Sequence, residues 1–264
     1  MQEFFCVKFF AIFLWLLAVT PFSNGHYDPG YYREPTDNFN RRPDWMRNIV
    51  DSVQLCELAM PGTHDAGAFG NIIEVAKCQG IDFDQQLAVG VRYFDIRIRH
   101  FNNMFRLHHG IVRLVVDFDD FMVSVTNFLN AYPSETILFR LKEEQPPGGT
   151  NTRTMRATLD SYLATFTRVL RTTNVLMTLG QARGRFIISC DAGPLCLDIG
   201  LDYNNQIIQD DFRLGSNDDL HWKWERVRDH LVLASNGPSN RFFMNYLSGS
   251  GTIPIVFPYF VASG

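Results

Sequence analysis

A surplus of positive charge is missing from this 264-residue sequence, and so are apolar runs long enough to cross a bilayer. Lys and Arg number 24 against 28 Asp and Glu, a net charge of -4. General binding to nucleic acid needs a broad basic surface that neutralises phosphates, so that class is set aside and no nucleic-acid partner is expected. A small anionic ligand in a local pocket is still compatible with the charge. Internal repeats and low-complexity blocks are also missing, which leaves one folded domain as the simplest organisation.

The N-terminal apolar run, residues 9–19, is shorter than the roughly 20 residues a spanning helix requires. Lys8 precedes it, and the small residues Ser23 and Gly25 follow, the pattern of a secretory leader cleaved near Gly25 and His26. Residues 1–25 are therefore expected to be a signal peptide, 26–50 an irregular Pro- and Arg-rich entry segment, and 51–264 the functional domain. The expected location is extracellular.

Cysteine is scarce. Of five, Cys6 would leave with the leader, and Cys56, Cys78, Cys190 and Cys196 would reach a compartment that permits disulfides. Four cysteines allow three pairings, and sequence does not choose among them, although Cys190 and Cys196 are near enough to close a small loop. Their spacing matches no zinc pattern, and no second Cys/His cluster completes one. Disulfides or buried thiols are expected, and no metal or cofactor.

What the sequence does contain is 46% hydrophobic residues in short runs that alternate with amphipathic segments, the pattern of strands alternating with helices. Strands are predicted at residues 54–60, 91–99, 136–141, 185–190 and 241–246. Helices are predicted at 117–129, 152–170 and 218–233; in the first, Phe121, Val125, Phe128 and Leu129 recur at helical spacing behind Asp117, Asp119 and Asp120. His64, Asp95, Arg97 and Lys142 fall at or near the C-terminal ends of predicted strands. In a strand–helix barrel that edge carries the chemistry, and the opposite edge carries stability.

Reactive side chains concentrate in three segments: Pro61-Gly62-Thr63-His64-Asp65, Asp95-Ile96-Arg97 and Leu107-His108-His109-Gly110. Together they supply bases, acids and a fixed cation. Moving a proton off one oxygen while giving one to another takes two groups that titrate near neutrality, and His is the side chain suited to that. A phosphodiester stays anionic throughout, and a planar guanidinium can bind two of its oxygens. Asp95 and Arg97 project to the same side of a strand, while of the adjacent His108 and His109 only one should face the site. The charged end of Ile137-Leu138-Phe139-Arg140-Leu141-Lys142-Glu143-Glu144 places a Lys where it could meet ligand oxygens.

Taken in order, Pro61–Phe69 (PGTHDAGAF), Val91–Arg99 (VRYFDIRIR), LHHG from Leu107, YPSETILFRLKEE from Tyr132, LGQARGRFII from Leu179 and IIQDDF from Ile207 resemble the X domain of phosphatidylinositol-specific phospholipase C, most closely the secreted bacterial type. The resemblance implies an α/β fold of the TIM-barrel type, distorted and C-terminally incomplete. It implies His64 as general base for the inositol 2-hydroxyl, His109 as general acid assisted by Asp65, and Arg97 on the phosphate. Asp95 and His108 are supporting neighbours, and Lys142 and Asp210 contact ring hydroxyls. The implied products are diacylglycerol and inositol 1,2-cyclic phosphate.

A guanidinium where calcium-dependent relatives have an acidic residue argues against a metal requirement, since calcium prefers six or more oxygen ligands. Two departures stand out: Asp191 occupies the place of an inositol-contacting Arg, and Phe212 that of a Tyr. The family also continues into a further helix and a strand whose Asp orients the base. The chain stops at Gly264, so a truncated barrel is expected. The alternative to a hydrolase acting on phosphatidylinositol or a glycosylated form of it is a catalytically impaired relative that binds phosphoinositide or glycan headgroups. A related phosphodiesterase with another headgroup is a third option. The lipid substrate implies peripheral membrane contact, for which the apolar run 253–260 is a candidate.

Overall fold

The computed structural model describes residues 40–216, 219–252, 255–256, 258 and 261. The expected leader, most of the entry segment, and residues 253, 254, 257, 259 and 260 of the C-terminal apolar run lie outside the described residues.

In chain order the main elements are β1 (Gly62–Thr63), α1 (Phe83–Val89), β2 (Tyr93–Phe101), β3 (Met104–His109), β4 (Val112–Asp117), α2 (Phe118–Ala131) and β5 (Ile137–Gly148). They continue with α3 (Met155–Thr165), α4 (Leu179–Ala182), β6 (Phe186–Asp191), β7 (Leu201–Asp202), β8 (Ile207–Gln209), α5 (Leu220–Asn236), β9 (Phe243–Asn245), β10 (Gly251–Thr252) and β11 (Ile255–Val256). Strands β1, β2, β5, β6 and β7 are parallel neighbours in chain order, and β8 and β9 form a second parallel pair. The β3–β4 hairpin departs from this plan by pairing antiparallel with the far end of β2. Strands that follow one another in order with helices between them give a TIM-type barrel. It is distorted here: among the described residues, no ladder joins the β1–β7 arc to the β8–β9 pair.

Register places inward-facing side chains in three layers, as the two-residue period of a strand requires. Tyr93, Leu138 and Ile187 align across β2, β5 and β6 and form an apolar floor with Leu55, Met177, Leu179 and Leu201. Two residues further along, Asp95, Arg140 and Ser189 make a buried polar layer. Arg97, Lys142 and Asp191 form the third layer at the rim. The intervening Phe94, Ile96, Phe139, Leu141, Ile188 and Cys190 face outward into the layer of helices.

That outer core is rich in aromatics. Phe94, Phe118, Phe121 and Phe139 make edge or tilted ring contacts at centroid distances of 5.2–6.2 Å, each fully buried ring contributing about 1.5–3 kcal/mol. The helix that supplies Phe118 and Phe121, α2, starts as its acidic first turn predicts. Asp117 is the N-cap, with the backbone N–H of Asp117 donating to Asp120 at 2.7 Å.

Three sequence expectations are corrected. Residues 54–60 do not form a strand: Leu55–Glu57 is a 3-10 turn and only Gly62–Thr63 pairs with β2. Pro61 has no amide proton to give a ladder, and its carbonyl instead accepts from Arg92 and Tyr93. The helix predicted over 152–170 is shorter, Met155–Thr165, capped by the Thr154 side chain. Strands β2 and β5 run well beyond their predicted ends, because the β3–β4 hairpin extends the sheet past Arg99. The turn from β2 into β3 is Asn102-Asn103, with φ of 52° and 60°. Asn tolerates this left-handed conformation, and two such residues make a tight hairpin turn.

The strands of the arc carry ion pairs at both ends. Near the N-terminal end Arg92 and Glu135 are fully buried, with Arg92 Nε donating to Glu135 Oε2 at 2.9 Å. Glu135 also accepts from the backbone N–H of Met46 at 3.1 Å. This pair ties the entry segment to the barrel and lies away from the polar layers above.

Candidate active site

Asp95 organises the site from below. Its Oδ2 accepts from Arg97 Nε at 3.0 Å, from Arg97 Nη2 at 2.9 Å and from the backbone N–H of Asp65 at 3.1 Å. Its Oδ1 accepts from Arg140 Nη1 at 3.3 Å. Two guanidinium groups hold its carboxyl well below the usual carboxylate range despite burial that opposes this. Only 1% exposed, Asp95 acts by positioning Arg97 and the Asp65 backbone.

The anchored Arg97 spans the site. Its Nη2 lies 2.8 Å from His64 Nε2, and its Nη1 lies 3.5 Å from Asp65 Oδ2 and 3.4 Å from Glu144 Oε1. Arginine only donates, so His64 Nε2 is the acceptor and the neutral ring carries its proton on Nδ1. Burial first, and then the Arg97 charge, lower the His64 pKa from 6.5 to about 3. The Tyr246 ring packs edge-on against His64 at a centroid distance of 6.1 Å.

On the other side of Arg97 stands the second His. His109 Nε2 lies 3.9 Å from Asp65 Oδ2, and its Nδ1–H donates to the Ala76 carbonyl at 2.8 Å, which fixes the ring. Asp65 has φ of 44°, a conformation Asp tolerates better than most residues, and strain of this kind gathers at functional sites. Burial raises the Asp65 pKa, opposed by Arg97. Its Oδ2 has no hydrogen-bond partner among the described residues, so a buried acceptor faces Arg97 and His109.

Of the two adjacent histidines, His109 is the one that stands beside Asp65. His108 points the other way and is only 5% exposed, with burial lowering its pKa. Lys142 Nζ donates to Glu144 Oε2 at 2.7 Å, and Glu144 Oε1 accepts from the Gly110 backbone at 2.9 Å, so the rim of β5 is tied to the end of the β3–β4 hairpin. Asp210 follows β8 and is exposed, yet the protein around its carboxyl partly desolvates it and raises its pKa, against the charges of Arg140, Lys223 and Arg97.

Sequence reasoning missed Arg140, Glu144 and Tyr246. Arg140 donates to Asp191 Oδ2 from Nε at 2.8 Å and to Tyr246 Oη from Nη1 at 3.2 Å, while Tyr203 lies against its guanidinium at 4.2 Å and bonds Tyr246 through their hydroxyls at 2.8 Å. The signal was present, because Arg140, Lys142 and Glu144 alternate along one strand and so share a face with each other. Among the described residues the cysteines resolve as one disulfide, Cys190–Cys196, with Cys56 and Cys78 free.

Comparison with known proteins points the same way. Residues 63–191 match the family model of the phosphatidylinositol-specific phospholipase C X domain. A 1-phosphatidylinositol phosphodiesterase of Listeria monocytogenes is 28% identical over 246 residues, covering 87% of this chain and 75% of the relative. One from Staphylococcus aureus is 32% identical over 163 residues, 60% of this chain and 48% of that protein. Among solved structures, a phosphatidylinositol-specific phospholipase C from Staphylococcus aureus superposes with a TM-score of 0.74 at 27% identity, covering 84% of this chain and 82% of that one. The Listeria monocytogenes enzyme gives 0.72 at 25% identity, covering 84% of each. With motif order, strand order and site geometry in agreement, this chain belongs to the phosphatidylinositol-specific phospholipase C X-domain family.

Proposed function

We infer that the protein is a phosphodiesterase that cleaves phosphatidylinositol, or a glycosylated form of it, to diacylglycerol and inositol 1,2-cyclic phosphate. The observation that carries this reading is the arrangement around Arg97: one terminal nitrogen meets His64 and the other meets Asp65, which neighbours His109. A phosphate bound at the guanidinium has a base on one side and an acid couple on the other. His64 Nε2 takes the proton of the ring 2-hydroxyl as that oxygen attacks phosphorus. The bond from phosphorus to the glyceride oxygen breaks, and His109 delivers a proton to the departing oxygen with Asp65 assisting. The five-membered cyclic phosphate and diacylglycerol account for every atom.

Arg97 supplies positive charge where the phosphoryl oxygens gain negative charge, which supports a reaction that runs without a metal ion. An incoming phosphodiester competes for Nη2 and frees His64 Nε2, and its negative charge then favours the imidazolium that proton transfer creates. Lys142, Asp210 and Asp191 ring the mouth and suit the hydroxyls of an inositol ring. His108, buried behind His109, supports the strand end.

The lipid lies in a membrane, and no helix among the described residues is long and apolar enough to cross one. Peripheral contact fits a further detail: Ile111 follows Gly110 at the turn of the hairpin and is 88% exposed. An extracellular location is supported by the leader pattern and by the Cys190–Cys196 disulfide, and detection of the processed chain in culture medium tests it.

Phosphorus NMR of vesicles of phosphatidylinositol incubated with the protein and a chelator tests the activity. The cyclic phosphate signal is expected first. A monophosphate that appears without a cyclic precursor, or no turnover by the folded protein, would overturn the reading.

A further inference from the structure

Cys78 is a free thiol that the reaction does not use, yet it sits against the acid couple. Its Sγ lies 3.9 Å from His109 Nδ1, and one ligand atom each from Asp65, Cys78 and His109 can be chosen so that all three lie within 4.8 Å of one another. We propose that Asp65, Cys78 and His109 form an inhibitory site for a thiophilic divalent cation such as Zn2+. The proposal deepens the catalytic reading above, because the cation would occupy the groups assigned to protonate the leaving group.

Three observations carry it. The donor set, one thiol, one imidazole and one carboxylate, is the kind zinc selects, and three protein ligands leave a fourth position for water. Bond lengths of about 2.0–2.3 Å place tetrahedral ligand atoms roughly 3.3–3.8 Å apart, so small side-chain rotations close the present cluster. Asp65, 1% exposed, aims an Oδ2 without a hydrogen-bond partner into the cluster, and a cation would satisfy that buried acceptor. His109 donates its Nδ1–H to the Ala76 carbonyl, leaving Nε2 with a lone pair that faces Asp65. Metal-binding histidines are typically oriented by such a bond from the other ring nitrogen.

Charge is the main objection, since Arg97 Nη1 is 3.5 Å from Asp65 Oδ2. Arg97, however, is anchored to Asp95 through two shorter hydrogen bonds. Asp65, Asp95, Glu144 and Asp191 together outnumber the cations Arg97, Lys142 and Arg140 that pair among them. The surplus is one negative charge.

The test combines a spectroscopic and a kinetic readout on the full protein. Cd2+ is titrated into wild type, Cys78→Ser and Cys56→Ser in chelator-free buffer, following the ultraviolet thiolate-to-cadmium band. Zn2+ inhibition of phosphatidylinositol cleavage is then measured on the same three proteins, with circular dichroism and metal-free activity reporting folding. A one-equivalent band in wild type and Cys56→Ser, lost in Cys78→Ser, together with at least a tenfold higher Zn2+ concentration for half-inhibition of Cys78→Ser, is expected. A wild-type protein with no band, or a Cys78→Ser that is folded and equally inhibited, would overturn the site. The band is read without turnover, so a protein that binds Cd2+ but cleaves nothing would refute the catalytic reading alone.

Discussion

Arg140 and Asp191 form the shortest ion pair of the site, with the guanidinium reaching the carboxylate through Nε at 2.8 Å and Nη2 at 2.5 Å. The same guanidinium holds Asp95 and Tyr246, so a residue at the mouth is linked through one side chain to the groups that position Arg97 and flank His64. Asp191 stands where the family resemblance places an inositol-contacting Arg. Its partner Arg140 brings a guanidinium to that same region from the neighbouring strand.

A double-mutant cycle checks this link. Arg140→Ala leaves Asp191 without its cation and Asp95 with one of its two, whereas Asp191→Ala leaves Arg140 its bonds to Asp95 and Tyr246. Arg140→Ala should therefore be the more damaging single change to stability. The coupling energy from urea unfolding should be about 0.5–3 kcal/mol, the range for residues in one hydrogen-bonded network. Additive effects would show that the pair is decorative.

His64 should declare itself in the pH dependence of the reaction. In the free protein His64 is lowered to about 3, so the decline of kcat/KM at acid pH should not carry a limb from His64 near its ordinary 6.5. A bound phosphodiester anion raises that pKa, and the acid limb of kcat should lie at higher pH than that of kcat/KM. Profiles that coincide near the ordinary histidine value would contradict the burial and charge seen here. In folding, a lowered pKa means the unfolded chain binds the proton more readily. His64 therefore contributes stability that is fully present above about 6.5 and is lost as pH falls toward about 3.

The opposite end of the barrel should behave differently. Glu135→Ala leaves the fully buried Arg92 uncompensated, and the expected loss of stability is about 3–5 kcal/mol. Because the pair lies below the apolar floor, kcat of the fraction that stays folded should match wild type. Thermal unfolding read beside activity at a temperature where the variant is folded checks both halves.

Much of this was legible in the sequence, for reasons that can be named. Asp95 and Arg97 alternate with buried apolar residues, so strand period alone puts them on one face. His64 and His109 follow short motifs with turn residues beside them. Arg140 was overlooked because its partner Asp191 is 51 residues away, and pairing of that kind depends on strand register. The β2–β3 connection was missed because Asn102-Asn103 was not weighed as a turn, which also hid the true lengths of β2 and β5. Cys78 meets His109 only through the fold of the loop before α1.

The measurement closest to the centre of this account compares wild type, His64→Ala and His109→Ala on two inositol phosphodiesters, one with the natural glyceride leaving group and one with nitrophenolate, which departs without a proton. Both variants should lose about 10²–10⁴-fold on the natural substrate. On the nitrophenyl substrate His109→Ala should recover most of its rate and His64→Ala should not. Recovery by His64→Ala instead, or equal losses for both variants on both substrates, would contradict the assignment of base and acid to the two sides of Arg97.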